Sequence, residues 1–238
     1  ILAGFTADVG FDVVDTADNI ALEVAGGSNS GDELNSADVN GVINTVVVSG
    51  GDVDTTEAGV IQSISGYDAS GSNYEITDDA AAVINAGSSL IENVGVTKVN
   101  VTDVATALQG VSLNAYNASV DFSVSDNVAS ISSVLLVSEL TTSTSHTSPP
   151  PSGQNGHGGM SLMTPVINTN GFVTNLDDAN SVIVTSGVAT VSEADAIQEI
   201  ANYSGADSDY DITDTATALI SATDSVLNVS GVDVVTVD

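Results

Sequence analysis

Carboxylates are the only reactive side chains this protein carries in quantity. Thirty-two Asp and Glu stand against one Lys (Lys98), no Arg, no Cys and two His, a formal charge of −31 over 238 residues. Carboxylates bind hard cations such as calcium, pair as acid and base in glycoside cleavage, or accept hydrogen bonds from backbone amides. The densest string is Asp207-Ser208-Asp209-Tyr210-Asp211, the opening spacing of an EF-hand loop. Such a loop requires Gly and then a closing Glu at places held here by Ile212 and Ala218, so it is not an EF-hand. Asp207, Asp209 and Asp211 remain candidate ligands for a looser, oxygen-rich calcium site. Asp52 with Asp54, and Asp177 with Asp178, are similar shorter strings. No carboxylate pair is singled out as the acid and base of a glycosidase, and 4% aromatics leave little for a sugar-stacking cleft.

Other chemistry lacks its parts. His146 and His157 lie among Ser, Thr, Pro and Gly with no acidic partner nearby, and read as solvated loop residues. No Gly-x-Ser-x-Gly, Walker loop or His-Glu-x-x-His occurs. Without Cys there are no disulfides and no thiolate metal sites. Lys98 reads as an exposed strand residue. Asn100, Asn117, Asn202 and Asn228 head glycosylation sequons, and the Thr/Ser/Pro run at Thr141–Pro151 is a better place for O-linked sugar.

The third use of a carboxylate fits a repeated stretch. Tyr210-Asp211-Ile212-Thr213-Asp214-Thr215-Ala216 has three relatives, beginning at Phe11, Tyr74 and Phe122. Each joins a few residues of strand to an apolar helical period through an Asp: Asp15, Asp78, Asp126 or Asp214. The spacing predicts a strand-to-helix corner, with that Asp as helix N-cap. A second motif pairs Asp54–Ile64 with Thr190–Ile200, with Glu57 and Glu193 at capping-box spacing. Each is preceded by a β-branched run, Val46-Val47-Val48 or Ile183-Val184-Thr185. Glu57 precedes Asp78 by 21 residues, and Glu193 precedes Asp214 by the same interval. The run after the corner helix repeats too, Val94–Asp103 and Val229–Asp238.

These elements predict an α/β protein: tandem strand–helix repeats, stacked as a quasi-linear array with right-handed crossovers. The alternative, all-β sandwich modules, conflicts with the helical apolar spacing of the capped segments. Further expectations are helices over Thr16–Val24, after Ser36 and over Ala80–Glu92. The unbroken Val46–Val48 run reads as a buried strand, Thr102–Leu108 as a reduced helix, and Val111–Tyr116 as strand or turn. All four prolines, both histidines and both methionines fall in Thr141–Asn170, the composition of a linker or long loop. The chain divides into repeat block one (1–140), this linker (141–170) and repeat block two (171–238).

Composition also bounds the partners. Phosphate contacts need Lys and Arg, so nucleic acid is excluded, and anionic membrane surfaces are disfavoured. No run of about 20 apolar residues predicts a membrane-spanning helix. No signal peptide is present; the chain opens at Ile1 and closes within a predicted strand, and reads as a piece of a longer or processed polypeptide. Self-repulsion at this charge calls for screening, and at seawater-like salt the Debye length is only about 4 Å. A saline or divalent-rich exterior is the natural setting, and scarce Lys and Arg deny trypsin-like proteases their sites.

The two motifs, aromatic-x-Ile/Val-x-Asp-Thr-Ala and Thr-x-x-Glu-Ala-x-x-Ile, resemble units of long, Lys-poor, repetitive bacterial surface proteins of S-layer-like and adhesin-like type. These are known from cyanobacteria and other aquatic bacteria. The resemblance covers most of 11–140 and 171–238. It implies an extracellular structural role, often with calcium, and transfers no functional residue. The expected function is a non-enzymatic subunit of a filament, sheath or S-layer that self-associates through strand edges such as Val232–Val237. Its expected partners are further copies of itself and cell-surface polysaccharide. The alternatives are an adhesin or phage-fibre stalk, and a secreted carboxylate-pair glycoside hydrolase.

Overall fold

The computed structural model describes residues 10–24, 43–142 and 176–238. The helix expected after Ser36, most of the 141–170 segment and both histidines lie outside those residues. Strands and helices alternate: β1 (Phe11–Asp15), α1 (Ala17–Val24), β2 (Ile43–Val53), α2 (Thr55–Gln62), β3 (Asn73–Asp78), α3 (Ala80–Ala86), α4 (Ser88–Ile91) and β4 (Val96–Ala105). Then come α5 (Ala107–Asn114), β5 (Val120–Asp126), α6 (Val128–Thr142), β6 (Ser181–Val184), β7 (Val188–Ala189) and α7 (Val191–Gln198). The chain closes with β8 (Tyr210–Asp214), α8 (Ala216–Ser221), α9 (Asp224–Leu227) and β9 (Val232–Val237). This is an α/β fold and not a set of all-β sandwiches. β1 to β6 form a six-stranded sheet and β7 to β9 a three-stranded one; neighbours follow chain order and every pair is parallel.

Crossovers that always step to the adjacent strand with one hand must place their helices on one sheet face. The packing agrees: α1, α2, α3, α5, α6 and α7 touch in succession. Burial alternates with the two-residue period of a strand. Tyr74, Ile76, Phe122, Val124, Val182, Val184, Tyr210 and Ile212 are buried. Between them Glu75, Thr77, Ser123, Ser125, Ser181, Asp211 and Thr213 are half-exposed on the opposite face. The Val46–Val48 run, expected to be buried throughout, follows the same rule: Val46 and Val48 are buried and Val47 is not. A parallel sheet normally hides both faces; among the described residues no helix layer covers the second, more polar face of this one.

Two helix expectations, and the strand or turn expected at Val111–Tyr116, need correction. The segment from Ala80 divides at Gly87 (φ 78°) into α3 and α4. Thr102–Ala105 belongs to β4, which past a register shift continues alongside β5 through Val104 and Ala105. The helix starts instead at Ala107, capped by Thr106 with a Gln109 capping box, and takes in Val111–Asn114. That box has the Thr-x-x-Gln spacing of a helix start and was legible. The boxes at Asp54/Glu57 and Thr190/Glu193 both form.

β2 serves two neighbours in turn. Its first half, to Val48, pairs β1, and its second half pairs β3 from Ser49 on, across a bulge at Gly50-Gly51. β6 and β7 repeat this as one interrupted strand bent at Gly187, pairing β5 and then β8. Gly51 (φ 104°) and Gly187 (φ 115°) sit in the left-handed region against the start of the preceding helix. A Cβ there would lie 3.0 Å from Ala17 N and 3.1 Å from Val128 Cβ respectively. Composition divides the chain near residue 140, yet α6 runs to Thr142, and β6 from the second block lies directly beside β5 from the first.

The two copies of the long motif match to the hydrogen bond, at a shift of 136 positions (210 minus 74). Gln62 Nε2 donates to Tyr74 Oη (2.8 Å) and to the Leu90 carbonyl (3.1 Å); Gln198 does the same with Tyr210 (2.8 Å) and Val226 (3.1 Å). Buried Ser72 accepts from Val48 N–H (2.9 Å) and donates to the Asp68 carbonyl (2.7 Å). Ser208 repeats both bonds, with Val184 (3.0 Å) and Ser204 (2.7 Å). Each Ser satisfies a strand amide at the point where the long strand changes partner.

One bond is lost between copies. Tyr67 Oη donates to Asn93 Oδ1 (3.2 Å), but the equivalent of Asn93 is Val229, and the buried Tyr203 hydroxyl has no hydrogen-bond partner among the described residues. Burial pushes the Tyr203 phenol above its ordinary pKa. Val229→Asn is expected to raise stability by about 1 kcal/mol, the usual net value of a buried hydrogen bond, as read by urea unfolding. If Val229→Asn stabilises a Tyr203→Phe background equally, the hydroxyl is not the reason.

Candidate functional site: a ladder of carboxylates at the helix starts

Each corner Asp does close its strand: β1, β3, β5 and β8 end on Asp15, Asp78, Asp126 and Asp214. The N-cap, however, is not that Asp. It is the following residue where the cap bond is formed: Asp79 to Ala82 N–H (2.8 Å), Asn127 to Ser130 N–H (3.0 Å) and Thr215 to Ala218 N–H (3.3 Å). The strand runs one residue too far into the corner for its last Asp to reach the first turn of its own helix.

Three of the corner carboxylates bridge two units instead. One oxygen accepts from the next residue's N–H: Asp79 on Asp78 (2.9 Å), Asn127 on Asp126 (2.8 Å) and Thr215 on Asp214 (2.7 Å). The other accepts from the first residue of the preceding long helix. Asp78 takes Thr55 N–H (3.0 Å) and its hydroxyl (2.7 Å), Asp126 takes Ala107 N–H (3.1 Å), and Asp214 takes Val191 N–H (3.1 Å). A helix start has free amides and a positive dipole end, so an anion from the neighbouring unit is well placed there. Asp103, near the end of β4, makes the same bond to Ala80 N–H (2.7 Å). Its separation of 23 residues equals that of the Asp78 and Asp214 bonds, a spacing that gave a sequence signal for Asp103 that was missed. Asp15 is the exception: it bonds locally, to Thr16 N–H (2.8 Å) and Asn19 Nδ2 (2.7 Å).

These bonds set the titration. Burial raises the Asp78 carboxyl, but the hydrogen bonds from Thr55 and Asp79 outweigh it and hold it below the ordinary carboxylate value. The Asn19 amide and Thr16 N–H hold Asp15 low, and Ser70 does the same for Asp68. A carboxyl lowered by folding adds stability above its unfolded pKa of about 3.9, and that stability is lost as pH falls through the folded value. Unfolding by acid is therefore expected below pH about 4, and Asp78→Asn should make the decline shallower. Urea midpoints measured across that range in high salt check this; an unchanged decline in the variant refutes the role of Asp78.

The candidate calcium residues do not converge. Asp207 ends a single 3₁₀ turn, Gly205–Asp207, and accepts from the Ser204 hydroxyl (2.6 Å). Asp209 and Asp211 alternate with buried Ser208 and Tyr210, and Asp211 accepts from Val234 N–H (3.2 Å). Among the described residues no group of three or more His, Asp or Glu is gathered as a metal site requires. Lys98 is half-exposed and paired across strands with Asp121 (2.6 Å), which raises its pKa. A shallow cleft of about 300 Å³ lies beside that pair, lined by residues including Asn114, Tyr116, Asp121, Phe122 and Asp178. Its Tyr116 hydroxyl is engaged with the Val83 and Ile84 carbonyls.

No helix among the described residues is long and apolar enough to cross a membrane. Fold and site together define an α/β protein of duplicated strand–helix units tied by carboxylates. Compared with known proteins, the chain matches no family model, no curated protein and no solved structure.

Proposed function

We propose that this protein is a structural subunit of an extracellular assembly, a filament, sheath or S-layer, built as a quasi-linear stack of α/β units. The observation that carries the reading is the ladder. The carboxylates that recur with the repeat, Asp78, Asp103, Asp126 and Asp214, each hold the helix start of a neighbouring unit. Recurring Gln, Ser and Tyr groups serve the same joints. A chain whose repeated polar chemistry is directed at its own joints is organised to persist, not to turn over a substrate.

Net charge supplies the condition for assembly. With 32 acidic groups against one Lys, two copies repel unless salt or divalent cations screen them. Calcium is the natural counter-ion, bound diffusely to the acidic surfaces. Electron microscopy of the purified protein tests this. Ordered polymers are expected in high salt or calcium and should dissolve in low salt with chelator. A monomer under every condition refutes the assembly reading and favours the stalk of an adhesin. Polymers indifferent to salt and chelator refute the cation requirement alone.

A further inference from the structure

The cleft beside Lys98 and Asp121 lies where one joint omits a piece that its counterparts carry. From long helix to corner strand, α2 reaches β3 through residues 63–72 and α7 reaches β8 through 199–209, but α5 reaches β5 through 115–119 alone. The longer connections lay a tyrosine back over the sheet: Tyr67 bridges Val46, and Tyr203 bridges Val182. The Tyr67 hydroxyl meets Asn93 in the connection that leads to β4, and a Cβ on Gly95 would run into it. Tyr203 takes the same position against Gly231. The short connection joins the strand ladder directly, the Ser119 carbonyl accepting from Val99 N–H (2.9 Å). Its own tyrosine, Tyr116, turns the other way, to the Val83 and Ile84 carbonyls of α3. Among the described residues, the slot that a tyrosine ring fills at the other two joints is left as a cleft of about 300 Å³, with Asp178 from the connection before β6 on its rim.

The side chains around the slot differ in the same sense. Gln62 and Gln198 commit their amides to the tyrosine hydroxyls of β3 and β8. At this joint the pair is Asn114 and Phe122. The phenyl ring has no hydroxyl, and the shorter amide accepts from Asp178 N–H instead (3.2 Å). Asn114 Nδ2, the Ser119 hydroxyl and the Asp178 carboxylate have no hydrogen-bond partner among the described residues, and Lys98 engages only Oδ2 of Asp121. An amide donor, a hydroxyl and two carboxylates thus line a ring-sized space over Leu113 and Phe122. Acceptors outnumber donors there, which suits a ligand rich in O–H groups, and the carboxylates repel an acidic one. We propose that this cleft binds one six-membered-ring sugar residue without an acid group, its hydroxyls donating to Asp178 and Asp121 and accepting from Asn114. The volume is at the low end for ligand pockets and fits a single residue. Hydrogen bonds hold the sugar, so the scarcity of exposed aromatic faces is no obstacle. The inference goes beyond the structural-subunit reading and does not need it: the site ties the chain to a surface polysaccharide whether or not the chain polymerises.

The whole chain, kept in low salt so that it stays monomeric, is titrated with glucose, galactose, mannose and N-acetylglucosamine, and the amide NMR shifts of residues 113–122 are followed. Glucuronic acid serves as the acidic control and calcium alone as the cation control. At least one neutral sugar is expected to move these shifts, and glucuronic acid is not. Asp178→Asn removes a charged acceptor while keeping the side chain's shape, and Ser119→Trp fills the cleft; both positions are exposed. Each should weaken sugar binding at least about tenfold, with the urea midpoint unchanged. Shifts that no neutral sugar moves overturn the inference, as does sugar binding that survives both variants. Glucuronic acid binding as well as the neutral sugars overturns the selectivity on which it stands. Calcium that moves the shifts where sugars do not makes the cleft a cation site and overturns it too. Sugar binding by a chain that never polymerises upholds this inference and overturns the structural-subunit reading; polymers of a chain that binds no neutral sugar do the reverse.

Discussion

Asp78→Ala is expected to lower unfolding free energy by about 2 kcal/mol, because it removes three hydrogen bonds to one ionised, half-buried acceptor. Two come from Thr55, through its N–H and hydroxyl, and one from Asp79 N–H. The loss frees the first amide of α2 and unties β3 from the unit before it. Two comparisons isolate the cause. Asp78→Asn removes the same negative charge, and so relieves the same self-repulsion, but keeps one acceptor; it should cost less than Ala. Asp214→Ala should also cost less, about 1 kcal/mol, because Val191 stands where Thr55 supplies a hydroxyl.

Trypsin gives a direct readout. The only Lys or Arg is Lys98, inside β4, so cleavage requires that strand to open and yields two fragments. A brief trypsin pulse along a urea series then reports the unfolded fraction. An Asp78→Ala midpoint indistinguishable from that of an ordinary surface substitution, within about 0.5 kcal/mol, would show that the ladder does not bear on stability.

The second large effect separates the covered end of the repeat from the bare one. Val99→Ala should cost about 2 to 3 kcal/mol, from two methyl groups at about 0.8 kcal/mol each and the cavity they leave. Val99 is fully buried between the helix layer and the sheet. Val235→Ala, the same change one repeat later at a position 42% exposed, should cost the isolated protein no more than about 0.5 kcal/mol. Equal costs for the two valines in the monomer would mean that the second unit is already closed by some other part of the chain.

The sequence alone determined this protein's local order. Aromatic-x-β-branched-x-Asp at four places marks where strands stop, and capping-box spacing at Asp54 and Thr190 marks where helices begin. These signals are legible because an N-cap and an apolar period are satisfied within a few residues of chain. The near-absence of positive charge was equally plain, and it narrows the partners without any coordinates. The β-branched stretch at Thr102–Ala105 was misread because an extended strand and a weak helix share such short apolar runs, and only the pairing with β5 decides between them.

Tertiary structure alone decided what the aspartates are for. Asp78 looks like a cap because a cap is the nearest use of a carboxylate at a helix start. Its real partner, Thr55, lies 23 residues earlier and comes within reach only when parallel strands place one unit beside the next. The same holds for the open polar face and for the bare valines of β9. Alternation shows that a strand has two sides, but which side is covered, and by what, depends on the neighbour that folding brings alongside.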